Sequence, residues 1–186
     1  MKNLTIWTVA AALAMSVSVS VPCGAQYAGG YADLDDSDVT KTLKTHVSYL
    51  ASDELGGRKA GSEGEKAASD YLRDVFDEYG VELVSGRDGD IFGITMPSGD
   101  TLTSRNVIGF VQGYDKTLYD RYIVIGARMD NVGTNMVDID GRQVPQIYRG
   151  ANGNASGLSM MMELARMVST NSILFRRSVL FVAFGA

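Results

Sequence analysis

The chain has 186 residues, of which 45% are hydrophobic and 21% are charged, so it is long and apolar enough for one globular domain with a buried core. Its formal net charge of -5 at pH 7 argues against nucleic acid as a partner, because proteins that bind phosphate backbones are basic. The single cysteine, Cys23, excludes a disulfide within the chain and a zinc site built from thiolates.

The first 25 residues have the pattern of a secretory signal peptide. Lys2 precedes an apolar stretch over residues 4–21, and small residues lead to a cleavage point after Ala25. An anchoring transmembrane helix is the less favoured alternative, because serines interrupt the stretch and no basic residues follow it. We therefore predict a signal peptide over 1–25 and a mature domain over 26–186. This domain is expected in the periplasm or outside the cell, without membrane contact after cleavage.

Two amphipathic helices are predicted at the start of the mature domain. Apolar residues of the first recur at helical spacing: Val39, Leu43, Val47 and Leu50. The second helix is predicted between a capping box of Ser62 and Glu65 and a stop at Gly80. The single histidine, His46, lies on the first helix, where packing or hydrogen bonding is a better explanation than metal binding.

The second half of the chain alternates between strand and helix patterns. Short strands separated by turns are predicted over 81–102, and β-branched apolar runs follow at 106–111, 122–127 and 178–184. A helix is predicted over 155–169. Strands that are apolar on both faces and alternate with helices indicate an α/β fold with parallel pairs and covering helices. We expect 122–127 and 178–184 to be inner strands.

Ligands in such sheets bind in the loops after the carboxyl ends of the strands, which here are residues 128–149 and 150–154. Asp138 and Asp140 do not make a calcium loop, because a third oxygen residue and a distal glutamate are missing. Asp140-Gly141 is therefore predicted to be a hairpin turn.

The helix after these loops carries two further candidates. Ser156 lacks the elbow motif of a nucleophilic serine and is predicted at the helix start. The methionines of this helix are predicted to fill the core and its flank: Met160, Met161, Met162 and Met167.

A series of motifs resembles the co-catalytic zinc aminopeptidases, the family of bacterial leucyl aminopeptidase. They occur in the family's order from Thr45 to Ala186: His46-Val47, Leu50-Ala51-Ser52-Asp53-Glu54-Leu55, Gly57-Arg58, Gly61-Ser62-Glu63-Gly64, Asn106-Val107-Ile108-Gly109, Ile125-Gly126-Ala127, Gly150-Ala151, Asn154-Ala155-Ser156-Gly157 and residues 179–186. The resemblance implies a zinc-exopeptidase-like α/β domain. In this family two zinc ions activate a water and release N-terminal residues from peptides.

The sequence departs from the family at two metal-ligand positions. The family's first histidine comes from Ala-His-x-Asp and its bridging aspartate from Gly-Ala-x-Asp-Asn-x-Ser-Gly, and these positions are Arg128 and Gly153 here. A guanidinium has no lone pair for zinc, and glycine has no side chain. Asp130 remains, and the family uses this residue to orient the first histidine. The loops around the former site carry three amides: Asn131, Asn152 and Asn154.

We therefore predict that this chain binds no zinc and has no catalytic residue in place. It is interpreted as a truncated, degenerate member of the family, a pseudoenzyme with an incomplete mixed or parallel sheet, because the remaining family ligands would follow residues 179–186. Whether it is a gene fragment or a natural short protein stays open. The alternative is a non-catalytic interaction protein on the same scaffold, with peptides as its partners.

Overall fold

The computed structural model describes residues 37–186, so the predicted signal peptide over 1–25 lies outside the described residues. In chain order the helices and strands are α1 (Asp38–Leu50), α2 (Glu63–Glu78), β1 (Glu82–Leu83), β2 (Asp90–Thr95), β3 (Thr101–Val111), β4 (Tyr122–Arg128), β5 (Gly133–Ile139), β6 (Arg142–Tyr148), α3 (Ser156–Thr170) and β7 (Ser178–Phe184). No helix in this part of the chain is long and apolar enough to cross a membrane.

Serine side chains cap the first two helices. The Ser37 hydroxyl accepts a hydrogen bond from the backbone N–H of Thr40 at 3.2 Å, and the Ser62 hydroxyl accepts one from Glu65 at 3.2 Å. Each cap satisfies a backbone donor that the first helical turn leaves free. Helix α2 ends at Glu78, just before Gly80, whose φ of +68° suits glycine. Both predicted helices are confirmed.

Only half of the predicted capping box forms. The Glu65 carboxylate does not return to the N–H of Ser62 but accepts hydrogen bonds from the N–H of Gly61, at 2.6 Å, and from the hydroxyl of Ser104. Glu65 is buried, and this burial raises its pKa against the opposing effect of its two hydrogen bonds. The glutamate therefore joins the start of α2 to β3, a long-range contact that no local helix signal reveals.

The sheet is mixed, in the order β1-β3-β7-β4, with β2 also paired to β3. Strand β7 runs antiparallel to β3 and parallel to β4. This confirms the α/β class and the inner position of residues 178–184. The expectation that 122–127 would also be inner is wrong within the described residues, where β4 is the last strand and Val124 is 60% exposed.

The hydrophobic core lies on one face of the sheet, beneath α2 and α3. Alternate residues of three strands point into it: Val107, Val111, Ala127, Val179, Phe181 and Ala183. Between them, Phe110 and Val182 are half-buried and Phe184 is exposed. Within residues 37–186, both β3 and β7 therefore have one face in the core and the other outside it, and the predicted covering helices are confirmed by α2 and α3.

The segment 128–149, predicted as a loop, contains the antiparallel hairpin of β5 and β6. Its turn is at Asp140 and Gly141, as predicted, and both residues have positive φ, +53° and +79°. The Asp138 carboxylate accepts a hydrogen bond from the N–H of Gly141 at 2.8 Å, so it stabilises the turn.

Helix α3 begins at Ser156, which confirms the predicted position of that serine. Met161 and Met162 are buried in the core, whereas Met160 and Met167 are exposed. The predicted division of the methionines between core and flank is thus confirmed.

Candidate functional site

The two predicted binding loops meet at the C-terminal end of β4, around the buried side chain of Arg58. Arg58 Nε donates to the carbonyl of Met129 at 3.1 Å, just beyond β4. Its Nη1 donates to the carbonyls of Leu50, at the end of α1, and of Arg149, at 2.9 Å. Nη2 donates to the carbonyl of Gly150 at 3.2 Å. One fully buried guanidinium thus joins the end of α1 to both loops.

Asn131 joins the segment after β4 to Arg58 and to the end of β6. Its N–H donates to the carbonyl of Arg58 at 2.8 Å, and its amide Nδ2 donates to the carbonyl of Tyr148 at 2.6 Å. Gly150 has a φ of +62°, and a Cβ there would lie 2.3 Å from Nδ2 of Asn131. Only glycine fits this approach, so Asn131 acts as a structural residue of the site.

The loop 150–154 turns directly into α3. The N–H groups of Gly153 and Ala155 donate to the carbonyl of Gly150 at 3.2 and 3.1 Å. The Asn154 side chain accepts a hydrogen bond from the N–H of Gly157 at 3.2 Å and so caps the helix. Asn152 is exposed. A Cβ at Gly153 would meet no atom within 4 Å, so the bridging-ligand position has room for a side chain.

Arg128 and Asp130 form an ion pair with two hydrogen bonds. Arg128 Nε donates to Asp130 Oδ1 at 2.6 Å, and Nη2 donates to Oδ2 at 3.1 Å. The side chain of Arg128 is 65% exposed, whereas that of Asp130 is 6% exposed. The hydrogen bond to Asp130 raises the pKa of the Arg128 guanidinium, which holds a positive charge at the first-ligand position.

The residues present at this site do not fit a zinc ion. Arg128 offers only N–H donors, which point at Asp130, and Gly153 offers no ligand atom. Among residues 37–186, no three His, Cys, Asp or Glu side chains are grouped so that they could hold a metal ion. A catalytic zinc takes three protein ligands, and this part of the chain does not bring them together.

His46 is not placed to bind a metal ion, because both of its ring nitrogens face tyrosine hydroxyls. Nδ1 lies 2.7 Å from the Tyr71 hydroxyl and Nε2 lies 3.4 Å from that of Tyr79. Burial lowers the pKa of His46, and the charges of Glu163 and Glu78 oppose this effect. The predicted packing and hydrogen-bonding role is confirmed.

Sequence reasoning missed two buried charged residues: Arg58, which joins the loops of the site, and Glu65, which joins α2 to β3. In the sequence, Arg58 is recognisable only as part of the Gly57-Arg58 motif, and Glu65 only as half of a capping box. An arginine between Gly57 and Lys59 has no local pattern that signals complete burial. The φ of Arg58 is +51°, a left-handed backbone conformation that is uncommon for residues other than glycine. This conformation is visible only in the structure.

Comparison with known proteins gives the family of the segment that carries the site. Residues 106–186 match the sequence model of peptidase family M28. This segment of the chain is thus similar to peptidase family M28. It runs from within β3 to the end of the chain and includes Arg128, Asp130 and Gly153. No curated protein sequence matches the chain.

Solved structures with the same fold include both peptidases and cyclases. A glutaminyl cyclase from Porphyromonas gingivalis matches with a TM-score of 0.61 and 19% identity over 77% of this chain and 46% of that one. A leucine aminopeptidase precursor from Bacteroides thetaiotaomicron has a TM-score of 0.57 and 20% identity over 77% and 45%. A Zn-dependent exopeptidase from Parabacteroides distasonis has a TM-score of 0.57 and 18% identity over 77% and 45%.

These similarities confirm the zinc-exopeptidase-like α/β fold of this chain. The matched part of this chain spans less than half the length of each of the three structures. Identities of 18–20% show the fold alone, and the neighbours include glutaminyl cyclases as well as exopeptidases. The fold is therefore shared with proteins named for a reaction other than the aminopeptidase reaction that the motifs suggested.

Proposed function

We propose that this chain is a non-catalytic member of the M28 family, which neither binds zinc nor releases N-terminal residues from peptides. The observation that carries the proposal is the ion pair of Arg128 with Asp130. It directs a guanidinium, which is not a ligand, to the position where the family has its first histidine. The glycine at position 153 removes the bridging carboxylate as well.

Electrostatics support the same conclusion. Zinc catalysis requires ligands that compensate the charge of the ion and a position for an activated water. The guanidinium of Arg128 already compensates the charge of Asp130, so the pair offers no net negative charge to a divalent cation. The Asp130 oxygens are engaged by that guanidinium, so the one acidic residue retained at the family position is not free to assist a ligand.

The decisive experiment measures zinc content and turnover on the full 186-residue chain. We expect zinc far below one equivalent after dialysis against micromolar zinc, and no cleavage of a chromogenic leucyl amide above background. The same preparation is assayed for cyclisation of an N-terminal glutaminyl substrate, because several structures with this fold are glutaminyl cyclases. The matched control is Arg128→Gln, which removes the positive charge without supplying a ligand. Stoichiometric zinc or clear turnover in the unmodified chain would contradict the proposal.

The second candidate is a peptide-binding protein on the same scaffold, and one surface favours it. The β5–β6 hairpin carries an open groove of about 360 Å³, and its lining includes Val137, Val144, Ile147 and Arg149. Arg149 is paired with Asp53 at 2.6 Å in this structure. Titration with short leucine-rich peptides tests this candidate, and Val144→Lys is the control variant. Equal heats for both proteins would exclude binding in the groove.

We further propose that the chain is exported and that residues 1–25 are removed. Support comes from the charged, apolar and small-residue pattern of the sequence. Mass spectrometry of protein recovered from the cell envelope and the medium is expected to show a mature chain that begins at Gln26. Recovery of the cytoplasmic protein with Met1 intact would contradict it.

A further inference from the structure

We propose that Arg128 is a built-in replacement for the positive charge of a metal ion at the end of β4. In this interpretation the guanidinium neutralises the buried Asp130 carboxylate, so that the site folds completely without metal. The inference rests on the proposed function, because it takes the site to be free of zinc. It goes further because it assigns Arg128 a stabilising role in the fold, beyond the loss of a metal ligand at this position.

The burial of Asp130 makes a countercharge necessary. Its side chain is only 6% exposed, and a buried carboxylate without a partner is strongly unfavourable. Both of its oxygens accept hydrogen bonds from Arg128, at 2.6 and 3.1 Å. The planar fork of a guanidinium matches a carboxylate in this two-bonded way, which a lysine cannot reproduce.

The other nearby charges do not take over this role. Arg58 is also buried near Asp130, whose charge acts on the Arg58 pKa, but its hydrogen bonds go to backbone carbonyls of Met129, Arg149 and Gly150. Glu65 carries the same sign as Asp130 and cannot neutralise it; burial raises the Glu65 pKa, and the charge of Asp130 adds to this effect. Within residues 37–186, Arg128 is thus the residue that donates hydrogen bonds to Asp130.

Arg128 can supply this charge because it lies at the last position of a strand. Its backbone pairs in register with Phe184 at the end of β7, while its side chain remains 65% exposed. The long apolar stem leaves the guanidinium at the surface and still lets it return to Asp130 two residues later. One residue thereby provides a permanent cation where the related motif has a metal ligand.

A double-mutant cycle in urea, with EDTA present throughout, tests the inference. We expect R128Q to lower the midpoint of unfolding clearly, because it leaves Asp130 buried without its partner. In the R128Q/D130N variant more than half of that loss should be recovered, because the buried charge is removed as well. R128K should fall between the wild type and R128Q. A double variant as unstable as R128Q, or an R128Q variant as stable as the wild type, would overturn the inference.

The cycle remains informative if R128Q does not fold. D130N and R128Q/D130N should then have the same midpoint, since Arg128 has no charge left to neutralise. A lower midpoint for the double variant would contradict the inference. Failure of this cycle is distinct from failure of the proposed function, which is decided by zinc content and turnover. An additive cycle in a zinc-free, inactive chain would overturn only the role assigned to Arg128.

Discussion

Replacement of Arg58 by alanine is expected to destabilise the domain more than any exposed substitution. The side chain is completely buried and donates hydrogen bonds to four backbone carbonyls, those of Leu50, Met129, Arg149 and Gly150. Loss of the guanidinium removes one donor from each of these carbonyls at the point where both loops meet, although that of Gly150 retains the N–H groups of Gly153 and Ala155.

The size of the effect follows from these contacts. Hydrogen bonds to a charged group contribute about 1.5–3 kcal/mol each, which gives at least ~6 kcal/mol for four. The cost of burying the guanidinium, which also lowers its pKa, offsets part of this gain by several kcal/mol. We therefore expect Arg58→Ala to lower the free energy of unfolding by about 3–5 kcal/mol, or the melting temperature by roughly 10 °C.

Urea unfolding followed by circular dichroism measures this effect, with thermal melting as a second readout. Arg58→Lys should retain less than half of the contribution that Arg58 makes to the free energy of unfolding. A lysine is a point charge with three donors and cannot reach four carbonyls in the same geometry. The control is Arg87→Ala: that side chain is 89% exposed and its ion pair with Asp77 measures 3.8 Å, so a change below about 0.5 kcal/mol is expected. A loss below about 1 kcal/mol for Arg58→Ala would refute the reasoning.

Three further predictions concern titration and repair of the site. Burial lowers the His46 pKa below 6.5, so its contribution to stability is present above that pH and is lost as pH falls. In His46→Gln the free energy of unfolding should therefore decrease less than in the wild type as the pH falls below 6.5. Burial raises the Glu65 pKa above 4.5, so its contribution is present at low pH and lost as pH rises; Glu65→Gln should gain stability relative to the wild type at pH 7 more than at pH 4. The Arg128→His/Gly153→Asp variant should bind at most one zinc weakly and show no aminopeptidase turnover, because a catalytic zinc takes three protein ligands.

Each of these predictions has a clear contrary result. If the free energies of unfolding of His46→Gln and the wild type change in parallel between pH 7.5 and 5, the buried histidine does not cause the pH dependence. A Glu65→Gln variant whose stability relative to the wild type is the same at pH 4 and pH 7 would show that folding does not change the Glu65 pKa. Turnover of a leucyl amide by Arg128→His/Gly153→Asp would show that other carboxylates of this chain complete the site.

The local elements of this protein could be predicted from the sequence alone. Helix α2 is capped by Ser62 and followed by its stop at Gly80, the hairpin turns at Asp140-Gly141, and β7 covers the predicted residues 178–184. These features depend on neighbouring residues: a side chain that caps its own helix, a positive φ that glycine accepts, and apolar periodicity. The substitutions at Arg128 and Gly153 are likewise visible in the sequence, because they are read against a short motif.

The tertiary structure decided the contacts between residues far apart in the chain. Strand β4 lies at the end of the described sheet although its residues are as apolar as those of β7, since strand order depends on pairing and not on composition. Glu65 reaches Ser104 instead of its own helix cap, and Arg58 joins α1 to residues 129 and 149–150. A buried charge is stable only where the fold supplies its partners, and those partners lie 39 to 92 residues away along the chain, apart from Leu50 and Gly61.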